Sequence, residues 1–358
     1  MICPHVHLRD FNEEIKETIL NGFEVAYLSG IDAVFEMPNT SPMLISESII
    51  QERLKKGYNA DKLLKAKYQG FKIFHGIYAG LTCDENQIKE MIACYNKYEQ
   101  VVGLKVFFGK STGNLSVVET DEQKFIWKNI VKYGYKGLIA GHCEKQSLIK
   151  DHLWKPENIK THTIVRPPES EIESVKDQIR FAKQAGFEGT FHVCHISVPE
   201  ALENILYMKN KVPFRITCGI TPHHAIFYDE IMDNENGIFL KMNPPLRPEY
   251  MQKSMLKSLF DEKIDWIETD HAPHTKSDKI NKYASGIPGL PYYPFFIDYL
   301  IDCGINADLI QKITHDNIID AFGLNKKKIS NSYGKNRLNN FSIIAEKYDF
   351  NPFQKIIK

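Results

Sequence analysis

The chain has 358 residues, 43% hydrophobic and 25% charged, the make-up of an ordinary globular protein rather than a low-complexity or fibrous one. Lys plus Arg and Asp plus Glu number 45 each, so no net field favours nucleic acid or an anionic membrane, and neither is expected as a partner. The seven cysteines form no C-x-x-C pair and read as reduced thiols; with no bilayer-length apolar run and ligand-type residues from position 5, a cytoplasmic chain without a cleavable signal is expected.

In chain order, eight β-rich runs fall near residues 2–8, 32–38, 72–78, 101–108, 137–142, 189–195, 214–220 and 264–270. Helical spacing of apolar residues fills segments between them, among them 84–98, 120–133, 171–186 and 198–209. On the third of these, Ile172, Val175, Ile179 and Ala182 form the buried face, and Glu173, Asp177, Arg180 and Gln184 the wet one; Phe181 falls off the apolar stripe. Repeated strand-then-helix order predicts a parallel sheet, and eight repeats predict an α/β chain closed into a (β/α)8 TIM barrel. An open doubly wound sheet shares the alternation, but no Gly-rich dinucleotide fingerprint follows the first strand. Long connections at 221–250 and 275–296 follow strands on the C-terminal side, where substrate loops of a barrel belong.

The first strand carries His5 and His7, two apart and so on one face, able to grip one metal ion together. The fourth carries Lys105, the fifth ends in His142-Cys143-Glu144, the sixth in His192-Val193-Cys194-His195, and the eighth in Asp270-His271. A barrel brings all of these to one mouth. Four histidines, an aspartate and a bridging group suffice for two metals sharing a hydroxide, which polarises a carbonyl and supplies a nucleophile. Lys105 fits as a bridge if carbon dioxide has converted its amine to a carbamate; alternatively it snorkels outward or pairs with a carboxylate. Lys110, in the loop beyond, is the fallback bridge. His192 and His195 are three apart and should face opposite ways, so at most one is a ligand. Cys143 and Cys194 should point into the wall as small apolar fillers, while His223 and His224 belong to a loop.

His5-Val6-His7-Leu8-Arg9, Met37-Pro38-Asn39-Thr40, Gly141-His142-Cys143-Glu144 and Arg166-Pro167-Pro168-Glu169 occur in that order. His192 to Ser197, Lys241-Met242-Asn243-Pro244-Pro245-Leu246-Arg247 and Thr269 to His274 follow. The set resembles dihydroorotase, of the amidohydrolase superfamily, over roughly residues 3–325. The resemblance implies a zinc enzyme with the metal site at the barrel's C-terminal mouth. His5, His7 and Asp270 would bind the buried zinc, His142 and His195 the exposed one, and carboxylated Lys105 would bridge them. It further implies that Asp270 shuttles a proton, that Arg9, Asn39 and His274 hold the substrate carboxylate, and that Asn243 and Arg247 line the pocket. The implied reaction is the reversible cyclisation of N-carbamoyl-L-aspartate to L-dihydroorotate in pyrimidine biosynthesis. Bridging hydroxide would attack the ring carbonyl. Hydantoinase or allantoinase chemistry is the alternative within the superfamily, and a non-catalytic scaffold the alternative outside it. The expected layout is a barrel over 1–325 and a short extension over 326–358. The β-sandwich of many relatives is expected to be reduced or absent, and a homodimer is one assembly compatible with the reading.

Overall fold

The computed structural model describes residues 1–325 except 112 and 114, together with 329, 344 and 346–353. Eight parallel strands pair in sequence order: β1 (Ile2–Val6), β2 (Ala33–Glu36), β3 (Phe74–Gly80), β4 (Val101–Phe108), β5 (Leu138–Cys143), β6 (Thr190–Val193), β7 (Arg215–Ile220) and β8 (Trp266–Ile267). A bridge between Val6 and His271, with His7 N–H donating to the His271 carbonyl at 2.7 Å, joins the end of β8 back to β1. The chain is therefore a (β/α)8 barrel, and the open sheet is excluded. Among the described residues no further sheet accompanies it, and no helix is long and apolar enough to cross a membrane.

One long helix follows each strand: α1 (Ile19–Leu28), α2 (Glu47–Lys67), α3 (Glu85–Lys97), α4 (Thr120–Lys132), α5 (Pro168–Ala185), α6 (Pro199–Met208), α7 (Glu249–Phe260) and α8 (Tyr293–Asp302). Their starts are set chemically. The Thr18 and Asp84 side chains accept from backbone N–H groups in the first turns of α1 and α3, and Pro168 and Pro199 occupy positions where no N–H is needed. On α5, Val175, Ile179 and Ala182 are buried as the spacing requires. Phe181 is buried too, at 2% exposure, and Asp177 leaves the wet face. Asp177 is drawn inward by Lys145 at 2.7 Å, beside Arg180.

Strand parity divides the core. Leu104, Val106, Phe108, Ile139, Phe191, Val193, Ile216, Cys218 and Ile267 pack in the layer between sheet and helices. Phe35, Tyr78, Leu138 and Trp266 fill the barrel interior, and Phe322 closes its floor, 4.9 Å from the Phe35 ring and 5.9 Å from Trp266. Strand β1 breaks the alternation with a register shift between Cys3 and Val6. Ile2 lies with the interior cluster and Cys3, Val6 and Leu8 with the outer one, so the shift lets His5 and His7 face inward. The two long connections are not bare loops. Short helical turns at Pro222–Ile226, Asp229–Met232, Gly237–Leu240 and Lys276–Lys282 fold them over the mouth. Of the extension expected over 326–358, residues 346–353 dock on the barrel through Tyr348 to Glu17 (2.7 Å) and Phe353 against Phe227 and Tyr292; most of the remainder lies outside the described residues.

Candidate active site

At the C-terminal mouth a narrow cavity of about 20 Å³ is lined by His5, His7, His142, His195 and Asp270, with Arg9, Asn39, Asn243 and Ser285 around them. Asp270 Oδ1 stands 3.2 Å from His5 Nε2 and 3.0 Å from His7 Nε2. His142 Nδ1 and His195 Nε2 face each other at 3.1 Å, and the His5 and His195 rings are 5.2 Å apart. Burial opposes ionisation of Asp270, but His5 and His7 outweigh it and hold the carboxyl well below its ordinary value. Burial also keeps His195 and His142 low, and carries His7 down to about 4, so these imidazoles are neutral donors at pH 7.

Other residues fix which nitrogen each ring offers. Asn39 Oδ1 meets His7 Nδ1 at 2.8 Å, leaving Nε2 on the Asp270 side. Glu144 Oε2 meets His142 Nε2 at 2.9 Å and is itself clamped by Arg166, leaving Nδ1 toward His195. Glu268 stands 3.5 Å from His5 Nδ1, accepts from His192 Nε2 at 3.0 Å and Trp266 Nε1 at 3.2 Å, and takes the His195 backbone N–H. Carboxylates and amides behind imidazoles are the usual means of aiming metal-ligating histidines. Glu144 and Glu268 are positioning residues; Glu144 stands in the Gly141–Glu144 motif, and Glu268 lies just before the Thr269–His274 run.

The donor set fits a metal. His5, His7 and Asp270 each bring one ligand atom within 4.8 Å of the others. His195 Nδ1 and both ring nitrogens of His223 are buried without hydrogen-bond partners, an arrangement that costs free energy unless something accepts them. His223, expected only as a loop residue, is fully buried, which the position of Thr221-Pro222-His223-His224 in a Pro- and His-rich connection did not disclose.

Lys105 is fully buried on β4 and neither snorkels nor forms an ion pair with a carboxylate among the described residues. Its Nζ lies 3.1 Å from Cys194 Sγ. Cys194 therefore does not point into the wall. Burial pushes its thiol up, but the Lys105 ammonium together with His192 and His5 outweighs this and brings it down to about 5. Cys194 lies two residues beyond His192 and shares its inward face by strand parity; His195 is the exception, turned inward by its φ of 39° beyond the end of β6. His192, Cys194 and His195 all face inward, with His192 stacked on Trp266 at 4.2 Å. Cys143 does join the outer wall. Lys110 is exposed in its loop, whereas Lys105 is buried beside the cluster.

Arg9 is buried, with φ 49°; its Nε donates to the Pro273 carbonyl at 3.2 Å, and Nη2 meets His274 Nε2 at 3.1 Å. Asn243 lines the cavity. Arg247 does not: it is tied to Ser197 Oγ, the Arg166 carbonyl and Glu171, where it braces the loop that carries Asn243. The pocket position expected for it is corrected accordingly.

Among solved structures, L-hydantoinase (dihydropyrimidinase) from Arthrobacter aurescens superposes with a TM-score of 0.75 at 20% identity, covering 90% of this chain and 70% of that one. Dihydropyrimidinase from Brevibacillus agri gives 0.72 at 17%, covering 93% and 72%. The fold is that of the amidohydrolase barrels. No protein-family model matches the chain. Dihydroorotase from Thermococcus kodakarensis is 30% identical over 332 residues, 92% of this chain and 69% of the relative. That from Pyrococcus abyssi is 30% identical over 359 residues, 98% and 73%; that from Pyrococcus horikoshii 32% over 296 residues, 81% and 57%. The chain belongs to the dihydroorotase family, hydrolases of cyclic amides, and spans 57 to 73% of the length of these relatives.

Proposed function

We propose that the protein interconverts L-dihydroorotate and N-carbamoyl-L-aspartate, using two zinc ions held by His5, His7, Asp270, His142 and His195 and bridged by carboxylated Lys105. Zinc, when bound, polarises the ring carbonyl and lowers the pKa of water. Asp270, reaching both His5 and His7, sits where it can accept a proton from the attacking water and return it to the departing ring nitrogen. Lys105 has no carboxylate partner among the described residues, and as a carbamate it would place an anion where bound zinc ions would offset its charge.

The observation that carries the substrate assignment is Arg9. Its guanidinium is 2% exposed, lines the cavity, and forms no ion pair among the described residues. A buried planar cation with no carboxylate in direct contact beside the reacting centre can take an anion on the substrate, and its fork matches a carboxylate. Dihydroorotate carries one; an unsubstituted hydantoin does not. Asn39 and His274 flank the same spot. The test is ring opening of L-dihydroorotate by the zinc-supplemented protein, followed through loss of ultraviolet amide absorbance. Chelator-sensitive turnover is expected. Stoichiometric zinc with turnover of hydantoin and none of dihydroorotate would overturn the assignment.

A further inference from the structure

Beside the active-site cavity lies a second one of about 340 Å³, which shares Asn243 and Ser285 with it. Lys241 lies at the heart of this vestibule. Its side chain is largely buried, yet its Nζ donates only to the Tyr283 carbonyl (2.8 Å) and Ser285 Oγ (2.7 Å), and stands 5.3 Å from the Trp154 ring centre. No ion pair to Lys241 occurs among the described residues. The acidic side chain that lines the vestibule, Asp151, is exposed and unpaired with it. Of the other cations nearby, Arg166 is neutralised by Glu144 at 2.6 Å, whereas Lys279 has no ion pair among the described residues. Lys279 is fully buried and donates only to the Lys241 and Gly286 carbonyls. Arg166 commits Nε and Nη2 to Glu144 and the Lys110 carbonyl, and Nη1 has no acceptor among the described residues. Burial, with Arg166 adding to it, pulls the Lys241 ammonium down to about 8, the behaviour of a cation that lacks a counter-ion.

Uncompensated buried cations are expensive, and a site that keeps them is built to receive an anion. The proposed reaction defines which anion. Water adds its oxygen to the ring carbonyl, the C–N bond breaks, the nitrogen takes a proton, and the new acid loses one. A monoanionic ring thereby becomes an open-chain dianion. We propose that the vestibule around Lys241 is a second carboxylate subsite, outside the reacting centre, which holds the open-chain dicarboxylate at the mouth as it enters or leaves and binds this dianion more tightly than the monoanionic ring. The proposal rests on the ring-opening reading above, and it adds a site that discriminates between the two sides of that reaction.

Trp154 lines this cavity, whereas Trp127 is buried elsewhere and Trp266 lies behind the proposed zinc ligands, so loss of ligand-induced quenching in Trp154→Phe assigns the signal to the vestibule. Titrating the zinc-loaded protein with N-carbamoyl-L-aspartate or succinate should quench Trp154 fluorescence, with acetate far weaker. Lys241→Met should weaken the dicarboxylates about tenfold, the weight of one charge-assisted hydrogen bond, and Lys241→Arg should recover most of the loss. In the ring-opening assay, the ratio of the dicarboxylate's product-inhibition constant to the KM for the ring should rise by a similar factor in Lys241→Met. Quenching that is absent, or equal in wild type and Lys241→Met while Lys241→Arg also matches, overturns the subsite. No turnover of L-dihydroorotate with Lys241-dependent quenching by succinate intact would uphold the dicarboxylate subsite and sink the reaction assignment instead.

Discussion

Replacing Glu268 with glutamine tests whether the site is aimed from behind. Four N–H-bearing groups surround this carboxylate: the His195 backbone and His5 Nδ1 on Oε1, and His192 Nε2 and Trp266 Nε1 on Oε2. A carboxylate accepts on both oxygens, whereas an amide has one acceptor and one donor. Either orientation of the introduced amide therefore turns its NH2 group toward N–H groups in a fully buried position. Each donor left facing it costs about 1–3 kcal/mol. His5 is freed to rotate and His195 loses its backbone anchor, so two ligands on different strands loosen at once. Zinc affinity should fall about 10–100-fold, as for other partners behind metal ligands, equivalent to ~1.4–2.7 kcal/mol. Chelator competition measures the affinity and urea unfolding of the zinc-free protein measures the stability. A variant that loses stability yet binds zinc as tightly as wild type would refute the aiming role and leave Glu268 as framework only.

Arg9→Ala should raise KM for L-dihydroorotate about 100-fold, the loss of a charge-assisted pair near 3 kcal/mol, with zinc content unchanged; zinc loss at unaltered KM would contradict its role. Lys105→Ala should lose the two-metal state and recover partly with short carboxylic acids, as read by metal analysis and turnover; full zinc loading and activity without added acid would exclude the carbamate. His224 supplies a pH test. Burial holds its imidazole at about 4 rather than the ordinary 6.5. A depressed folded-state value means its stabilising contribution is complete above pH 6.5 and is lost as pH falls toward 4, by up to about 3 kcal/mol. Urea melts should show that slope flattened in His224→Gln, and an unchanged slope would assign it to other groups.

What the sequence disclosed follows from which signals are local. Strand positions came from period-two runs, and the barrel from their number, because hydrophobic alternation is written into consecutive residues. Long helices such as α3, α4, α5 and α6 came from 3.6-residue spacing for the same reason. Single-residue departures did not show. The register shift in β1 and the left-handed turn at His195 are each one dihedral decision; the second brings His195 to the same side as His192, and Cys194, which shares His192's face by parity, is interior rather than wall. Arg247 was misplaced because its motif neighbour Asn243 does line the cavity, while Arg247 itself is claimed by Ser197, Glu171 and the Arg166 carbonyl. Lys241 stood in a recognised motif and Glu268 just before one, but partners from distant segments set their tasks. No spacing rule encodes a missing counter-ion.

Arg9, His195 and Asp270 all hold positive φ, at 49°, 39° and 45°, at the ends of three different strands. Non-glycine residues there carry about 1–3 kcal/mol each of conformational cost. Glycine would relieve the cost at any of the three and delete the functional group with it, so ordinary stability optimisation would erode this centre. The same feature limits transplantation. Copying the donor side chains onto an idealised barrel with unstrained strand ends would leave His195 and Asp270 aimed elsewhere, so a designer would have to import the kinked backbone and whatever rigid surroundings hold it.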